Sequence, residues 1–223
     1  MNQLSRRAIS LFPILVCTAL FGCVTATVQQ VREAETSLTA NDSVVVLGRR
    51  NRPSSAETEI DFISCVSKKV SGGDIRVIPE QEFVDALFPW FEPRTAPLHN
   101  SDLPGLIGQP LLAERIREIG LKYLIWIEGS TQRTNSGGSM SCSITPGGAG
   151  CFGFLSWEND SSYEAAIWDA RSGRTAGRVS SDAAGTSYMP AIVIPIPIIA
   201  RVKNGACTSL AEQLLSFVKN ESQ

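Results

Sequence analysis

Tyr123-Leu-Ile-Trp-Ile127 is five apolar residues in succession. A strand buried on one face alternates apolar with polar residues, whereas a strand covered on both faces reads as an unbroken apolar run. The stretch therefore predicts a central strand with a layer on each side. Immediately upstream, Pro110 can open a helix at its first turn, Leu112, Ile116 and Ile119 recur at helical spacing, and Gly120 ends it.

Working outward, Val44–Leu47 is a β-branched run that predicts a buried strand. After the loop Gly48–Pro53, Ser54-x-x-Glu57 has the capping-box pattern. Ile60, Ile63, Val66 and Val70, with Cys65 beside them, predict a helix over about 56–71 that Gly72-Gly73 ends. Ile75–Ile78 predicts a strand, and Pro79 opens a helix with the stripe Phe83, Val84, Leu87 and Phe88. The prolines and glycines of 89–109 predict a long irregular connection. Beyond the central strand, the glycine- and serine-rich segment 129–151 predicts a hairpin excursion, and Asn159-Asp-Ser-Ser a turn. Ser162–Trp168 alternates like a strand, Asp169–Gly173 supplies a turn, and Thr175–Ser180 returns antiparallel. Met189–Ala200 is too short, and too broken by Pro190, Pro195 and Pro197, to span a bilayer; it predicts an edge strand or an extended cover over the core. Cys207, Leu210, Ala211, Leu214, Leu215 and Val218 predict a closing helix over about 206–219. The sum is an α/β (α+β) sandwich, a mixed β-sheet packed against helices.

The N-terminus carries a separate signal. Arg6 and Arg7 precede the apolar stretch Leu11–Phe21, which ends at the small residue Gly22. A basic start, an apolar middle and a small residue before the cut describe an export leader. Leu20-Phe21-Gly22-Cys23 resembles the bacterial lipoprotein signal. That resemblance implies removal of residues 1–22, lipidation of Cys23, and a mature chain held to a bilayer by acyl chains. Val24 stands where an aspartate would favour the inner membrane, so the resemblance implies the outer membrane, facing the periplasm. The polar stretch 23–42 then reads as lipidated cysteine and tether, and 43–223 as one domain carrying the 129–151 excursion. Losing the leader removes two of the 20 basic residues and none of the 22 acidic ones, leaving 18 against 22, a net charge of −4. Such a balance argues against a nucleic-acid binder, which needs basic surface against phosphates. Arg49, Arg50 and Arg52 are the densest basic cluster, and a solvated turn accounts for them.

Cys65, Cys142, Cys151 and Cys207 remain, an even number in an exported chain. Of three possible pairings, Cys142–Cys151 would close a short glycine-rich loop, leaving Cys65 to meet Cys207 and join an early helix to the last.

The element order also resembles the TolB N-terminal and CsgG-like periplasmic α/β domains. Val44–Leu47 with its helix, Arg76–Leu87, Ala113–Ile127, the Trp168–Gly173 hairpin and Cys207–Phe217 carry the likeness over most of 43–220. No amphipathic hairpin long enough for a CsgG-like pore is legible, so the resemblance implies a fold and a compartment and no activity.

Chemistry is sparse. His99, the single histidine, lies near Asn100, Ser101 and Asp102, but no Gly-x-Ser-x-Gly elbow accompanies it. Glu158, Asp160 and Glu164 are the densest acidic group and would suit glycoside hydrolysis only if they shared a cleft. Gly147–Gly153 lacks the Lys-Ser/Thr ending of a phosphate loop, and the histidine and cysteines have no zinc spacing. No cofactor or metal is expected. Trp90, Phe91 and Trp157 lie in turn-rich stretches and are the candidates for partner contact. The expected function is a lipid-anchored envelope protein acting through protein contacts, in assembly, trafficking or maintenance of an envelope structure. A cell-wall or saccharide hydrolase and a small-ligand or lipid carrier are the alternatives.

Overall fold

A computed structural model describes residues 24–49, 57–92 and 94–220. The elements are β1 (Val24–Arg32), β2 (Ser43–Gly48), α1 (Ile60–Ser71), β3 (Val77–Ile78), α2 (Glu80–Ala86), α3 (Leu103–Ile107), α4 (Pro110–Glu118), β4 (Leu121–Thr145), β5 (Gly148–Asp169), β6 (Arg174–Ala191) and α5 (Val202–Lys219). The six strands form one mixed sheet in the order β1-β6-β5-β4-β2-β3. The expected mixed α/β architecture is present. β2 runs parallel to β3 and to β4, with Val44 opposite Tyr123 and Leu47 opposite Trp126. The two-residue link between β4 and β5 requires those strands to run antiparallel. No helix among the described residues is long and apolar enough to cross a membrane.

The chain divides into two compact units. The helical unit comprises the described residues of 26–131, 161–183 and 203–223. Alternation along β2 and β4 splits their side chains between two faces. Val45, Leu47, Leu124 and Trp126 pack with Phe83 and Leu87 of α2, Leu103 and Ile107 of α3, and Leu112 and Ile116 of α4. Tyr123, Ile125 and Ile127, one residue out of step, are equally buried. The unbroken apolar run at 123–127 is explained by this double burial. Phe62 of α1 stacks on Tyr163 of β5 with ring centroids 3.5 Å apart. α1 is tied to α5 by the Cys65–Cys207 disulfide, across Cα atoms 6.3 Å apart.

The strand unit comprises, among described residues, 24–25, 132–160 and 184–202. It contains the distal arms of β4 and β5, the last part of β6 and the segment that follows. The Cys142–Cys151 disulfide staples the hairpin arms, as the spacing predicts. Val193 O accepts a hydrogen bond from Cys151 N at 2.9 Å, and Tyr188 pairs with Ile198.

Several expectations need correction. The tether drawn at 23–42 contains an ordered strand: Val24–Arg32 is β1, at the sheet edge beside β6. Its mostly exposed positions let polar threonines and glutamines serve, so its sequence carries no apolar signature. Asn159–Ser162 is no turn but the middle of β5. The hairpin excursion expected over 129–151 belongs to two longer strands of 25 and 22 residues, whose glycines and serines leave no apolar alternation to mark their length. The single domain with an excursion is two compact units, because these arms continue far enough to pack with 184–202. Met189–Ala200 continues β6 to Ala191 and folds back by bridges at Tyr188–Ile198 and Ala191–Pro195; Ala191 and Ala200 are buried, but Ile192, Val193, Ile194, Ile196 and Ile199 are exposed and do not cover the core. The first helix starts at Ile60 with Glu59 as N-cap, while Ser54 of the capping box and Cys23 lie outside the described residues.

At the start of β2, Asp42 is almost fully buried and accepts hydrogen bonds from Thr39 N (2.8 Å) and Thr39 Oγ1 (2.7 Å), with Arg171 paired to its other oxygen. Burial raises its pKa, but the Thr39 bonds and the Arg171 charge outweigh it, holding the carboxyl below its ordinary 3.8. A depressed folded pKa stabilises above the unfolded value and ceases to do so as pH falls through the folded one. Asp42→Asn should therefore cost about 1–3 kcal/mol near neutrality. The gap to the parent chain should close as pH drops below 3.8, measured by urea unfolding at a series of pH values.

Candidate functional site

In parallel sheets, ligands sit in crevices at the carboxyl ends of the strands. β2 ends at Gly48, and its parallel partnership with β4 ends at Ile127. The next residues, Arg49 and Glu128, line a cleft of about 370 Å³ in the helical unit, together with Asn100, Trp126, Ser130 and Glu164.

Backbone bonds fix its floor. Arg49 N donates to Ile127 O at 3.0 Å, and Arg49 O accepts from Thr58 N at 3.1 Å. Gly129, at φ +139°, lets β5 close in: a Cβ there would stand 2.1 Å from Ser162 O, inside any allowed backbone contact. Glu128 Oε1 accepts from Trp126 Nε1 at 2.9 Å and from Asn100 N at 3.3 Å, which orients the carboxylate. Glu164 approaches the Arg178 guanidinium at 3.9 Å and is half-exposed. Arg49 Nε is buried and has no hydrogen-bond partner among the described residues. The cleft thus offers one unfilled donor beside oriented acceptors. It suits a ligand with a carbonyl or carboxylate oxygen as well as donor groups.

The sequence candidates are distributed differently. His99 is exposed, and Asp102 accepts from its backbone N at 3.1 Å, so the pair caps a short turn of helix. Asn100 is drawn to the cleft by its backbone. Glu158, Asp160 and Glu164 stand at even-numbered, exposed positions along β5, and of the three only Glu164 lines the cleft. Among described residues, no cluster of three or more His, Cys, Asp or Glu could hold a metal ion. Phe91 is not a contact residue: it is buried edge-on against Phe83 in the core. Trp90 packs partly on the same core and donates Nε1 to Gln109 at 2.9 Å. Trp157 is half-buried in the strand unit, with the Arg133 guanidinium 5.5 Å from its ring centroid.

Sequence reasoning missed Arg49 as a site residue and did not single out Glu128. The available signal was position: each is the first charged residue after an apolar strand run, where the parallel pairing of β2 and β4 stops.

The strand unit shows a second surface. Ile144, Phe152, Ile192, Ile194 and Ile196 are 90%, 74%, 81%, 72% and 57% exposed, in a unit that binds its own hairpin by a disulfide.

No family model and no curated protein matches the chain. Among solved structures it is similar to the PelC dodecamer from Paraburkholderia phytofirmans, at 15% identity and a TM-score of 0.38, over 87% of this chain and 98% of that one. A single-substitution variant of that dodecamer matches at 14% identity and the same TM-score, over 87% and 99% of the two chains. An identity and a TM-score this low carry nothing about what the present chain binds.

Proposed function

We propose that the chain is a lipid-anchored bacterial envelope protein, of TolB N-terminal or CsgG-like type, that works by receiving a polar segment of a partner protein in the cleft at Arg49 and Glu128. The observation that carries the reading is the buried Nε of Arg49. A buried donor left unpaired costs about 1–3 kcal/mol, so an incoming acceptor gains what the free protein lacks. The neighbouring Glu128 carboxylate is already oriented and can receive a backbone N–H. Two disulfides agree with an oxidising compartment outside the cytosol. The leader and Cys23 supply the anchor, and the outer membrane is its expected seat.

The test is cross-linking in native envelopes followed by recovery of the lipidated protein. The parent should recover a specific partner, and Arg49→Ala should weaken that capture about tenfold or more with a thermal midpoint no lower than the parent's. Equal recovery by both would overturn the assignment of the cleft. Mass spectrometry showing an unmodified Cys23 would overturn the anchor.

A second reading draws on Glu128 and Glu164 lining one cleft. Paired carboxylates can hydrolyse a glycosidic bond. Release of fragments from isolated cell wall, abolished by Glu128→Gln, would favour it over the contact role.

A further inference from the structure

We propose that the strand unit is a lipid-contacting surface in its own right, seating its exposed aliphatic segment in the interfacial region of a bilayer independently of the acyl chains. Three observations converge. First, this unit exposes Ile144, Phe152, Phe154, Ile192, Val193, Ile194, Ile196 and Ile199, a density of large apolar side chains that water does not favour. Phe154 and Tyr188 sit together there with ring centroids 5.8 Å apart. Second, the unit is nearly devoid of charge. No charged residue occurs from Thr134 to Trp157, or from Ala183 to Ala200. Among its described residues the charged ones, Arg133, Glu158, Asp160 and Arg201, flank those runs. A partner protein is ordinarily met by an apolar patch with a charged rim that sets register. Hydrocarbon and its interface instead select against charge throughout, and tolerate Trp157 and Tyr188 as amphipathic aromatics. Third, the chain leaves the described structure from this unit. Val24 and Thr25 belong to it, and Thr25 Oγ1 donates to Ala184 O at 3.5 Å. Cys23 is one peptide bond from Val24, so acyl chains on it would bring this unit to the lipid.

The third observation rests on the lipoprotein reading; the first two do not. The run Ile192-Val-Ile-Pro-Ile-Pro-Ile-Ile199 suits interfacial seating. Its prolines remove two backbone donors that lipid could not satisfy, and Val193 O and Ile198 N are already bonded within the unit. An interfacial position also spares the open sheet edge from hydrocarbon, where unpaired backbone is not tolerated.

The experiment uses the full mature chain carrying Cys23→Ser, which has no acyl group, mixed with vesicles of phosphatidylethanolamine and phosphatidylglycerol and floated on a density gradient. The protein should rise with the vesicles, and high salt should not release it, because contact is apolar. Ile192→Asp and Ile194→Asp should each lower the vesicle-bound ratio about tenfold while both disulfides still form and the thermal midpoint holds. Protein left at the bottom of the gradient would overturn the proposal, as would flotation undiminished in the aspartate variants. Self-association in sedimentation that the same variants abolish, without flotation of the parent, would assign the surface to a second copy and also overturn it. An unlipidated Cys23 in the native host would remove the anchor and leave this vesicle result standing, so the two readings fail separately.

Discussion

Replacing Cys65 and Cys207 together by alanine should lower the unfolding free energy by about 5 kcal/mol, read as a drop in urea midpoint at constant slope. The bond spans 142 residues of sequence, and a cross-link removes more freedom from the unfolded chain the longer the loop it closes. The same chain-entropy relation gives about 2.7 kcal/mol for Cys142–Cys151, separated by nine residues. Alanine is the replacement because Cys207 is 1% exposed, so a hydroxyl would be left without water. α1 and α5, which this bond joins, also contribute Phe62, Val66, Leu210 and Leu214 to the core, so they should loosen together. Equal losses for the two cysteine pairs would contradict the loop-length argument.

Phe62→Ala should cost about 3–5 kcal/mol, the range for removing a fully buried aromatic ring. Phe62 and Tyr163 are each 1% exposed, and their rings are nearly parallel, at 8°. The Tyr163 hydroxyl donates to Glu59 Oε2 at 2.9 Å and lies 2.8 Å from Thr131 Oγ1, so the stack is tied to the start of α1 and to β4. Burial raises the phenol above its ordinary 10.0; the Thr131 bond works against this, and the Glu59 carboxylate adds to it. A raised folded pKa gives stability that is complete below the unfolded value and lost as pH climbs past it. Parent protein should therefore lose stability as pH rises above 10.0, and Tyr163→Phe should remove that alkaline limb. Unfolding curves between neutral and alkaline pH would check both. A Phe62→Ala cost below about 1 kcal/mol would mean that the surroundings collapse into the space, and that this stack does not organise the unit.

How far the sequence could be read depended on the kind of burial each element has. β2, α1, α4, the start of β4 and α5 were legible because each buries a face against a dry core, and burial writes an apolar period into the chain. The same logic made Cys65–Cys207 and Cys142–Cys151 accessible by spacing and elimination. β1 was not legible, since an edge strand with exposed faces can be built from threonine and glutamine. The length of the β4–β5 hairpin was hidden for the same reason, its serines and glycines imposing no alternation. The cleft was out of reach in another way. Arg49 and Glu128 are 79 positions apart and become neighbours only because β2 and β4 run parallel and their pairing stops at Gly48 and Ile127.

By itself, then, the sequence determined the double-sided central strand and most of the helices that cover it, and it narrowed four cysteines to a favoured pairing, all of them matters of local pattern or count. Tertiary structure alone decided that the charge-free segments 134–157 and 184–200 belong to one unit that exposes Ile144, Ile192, Val193, Ile194, Ile196 and Ile199. It also decided that a guanidinium nitrogen, Arg49 Nε, is buried where β2 ends and its pairing with β4 stops. Exposure and encounter depend on which segments pair across the sheet, and no period along the chain records that.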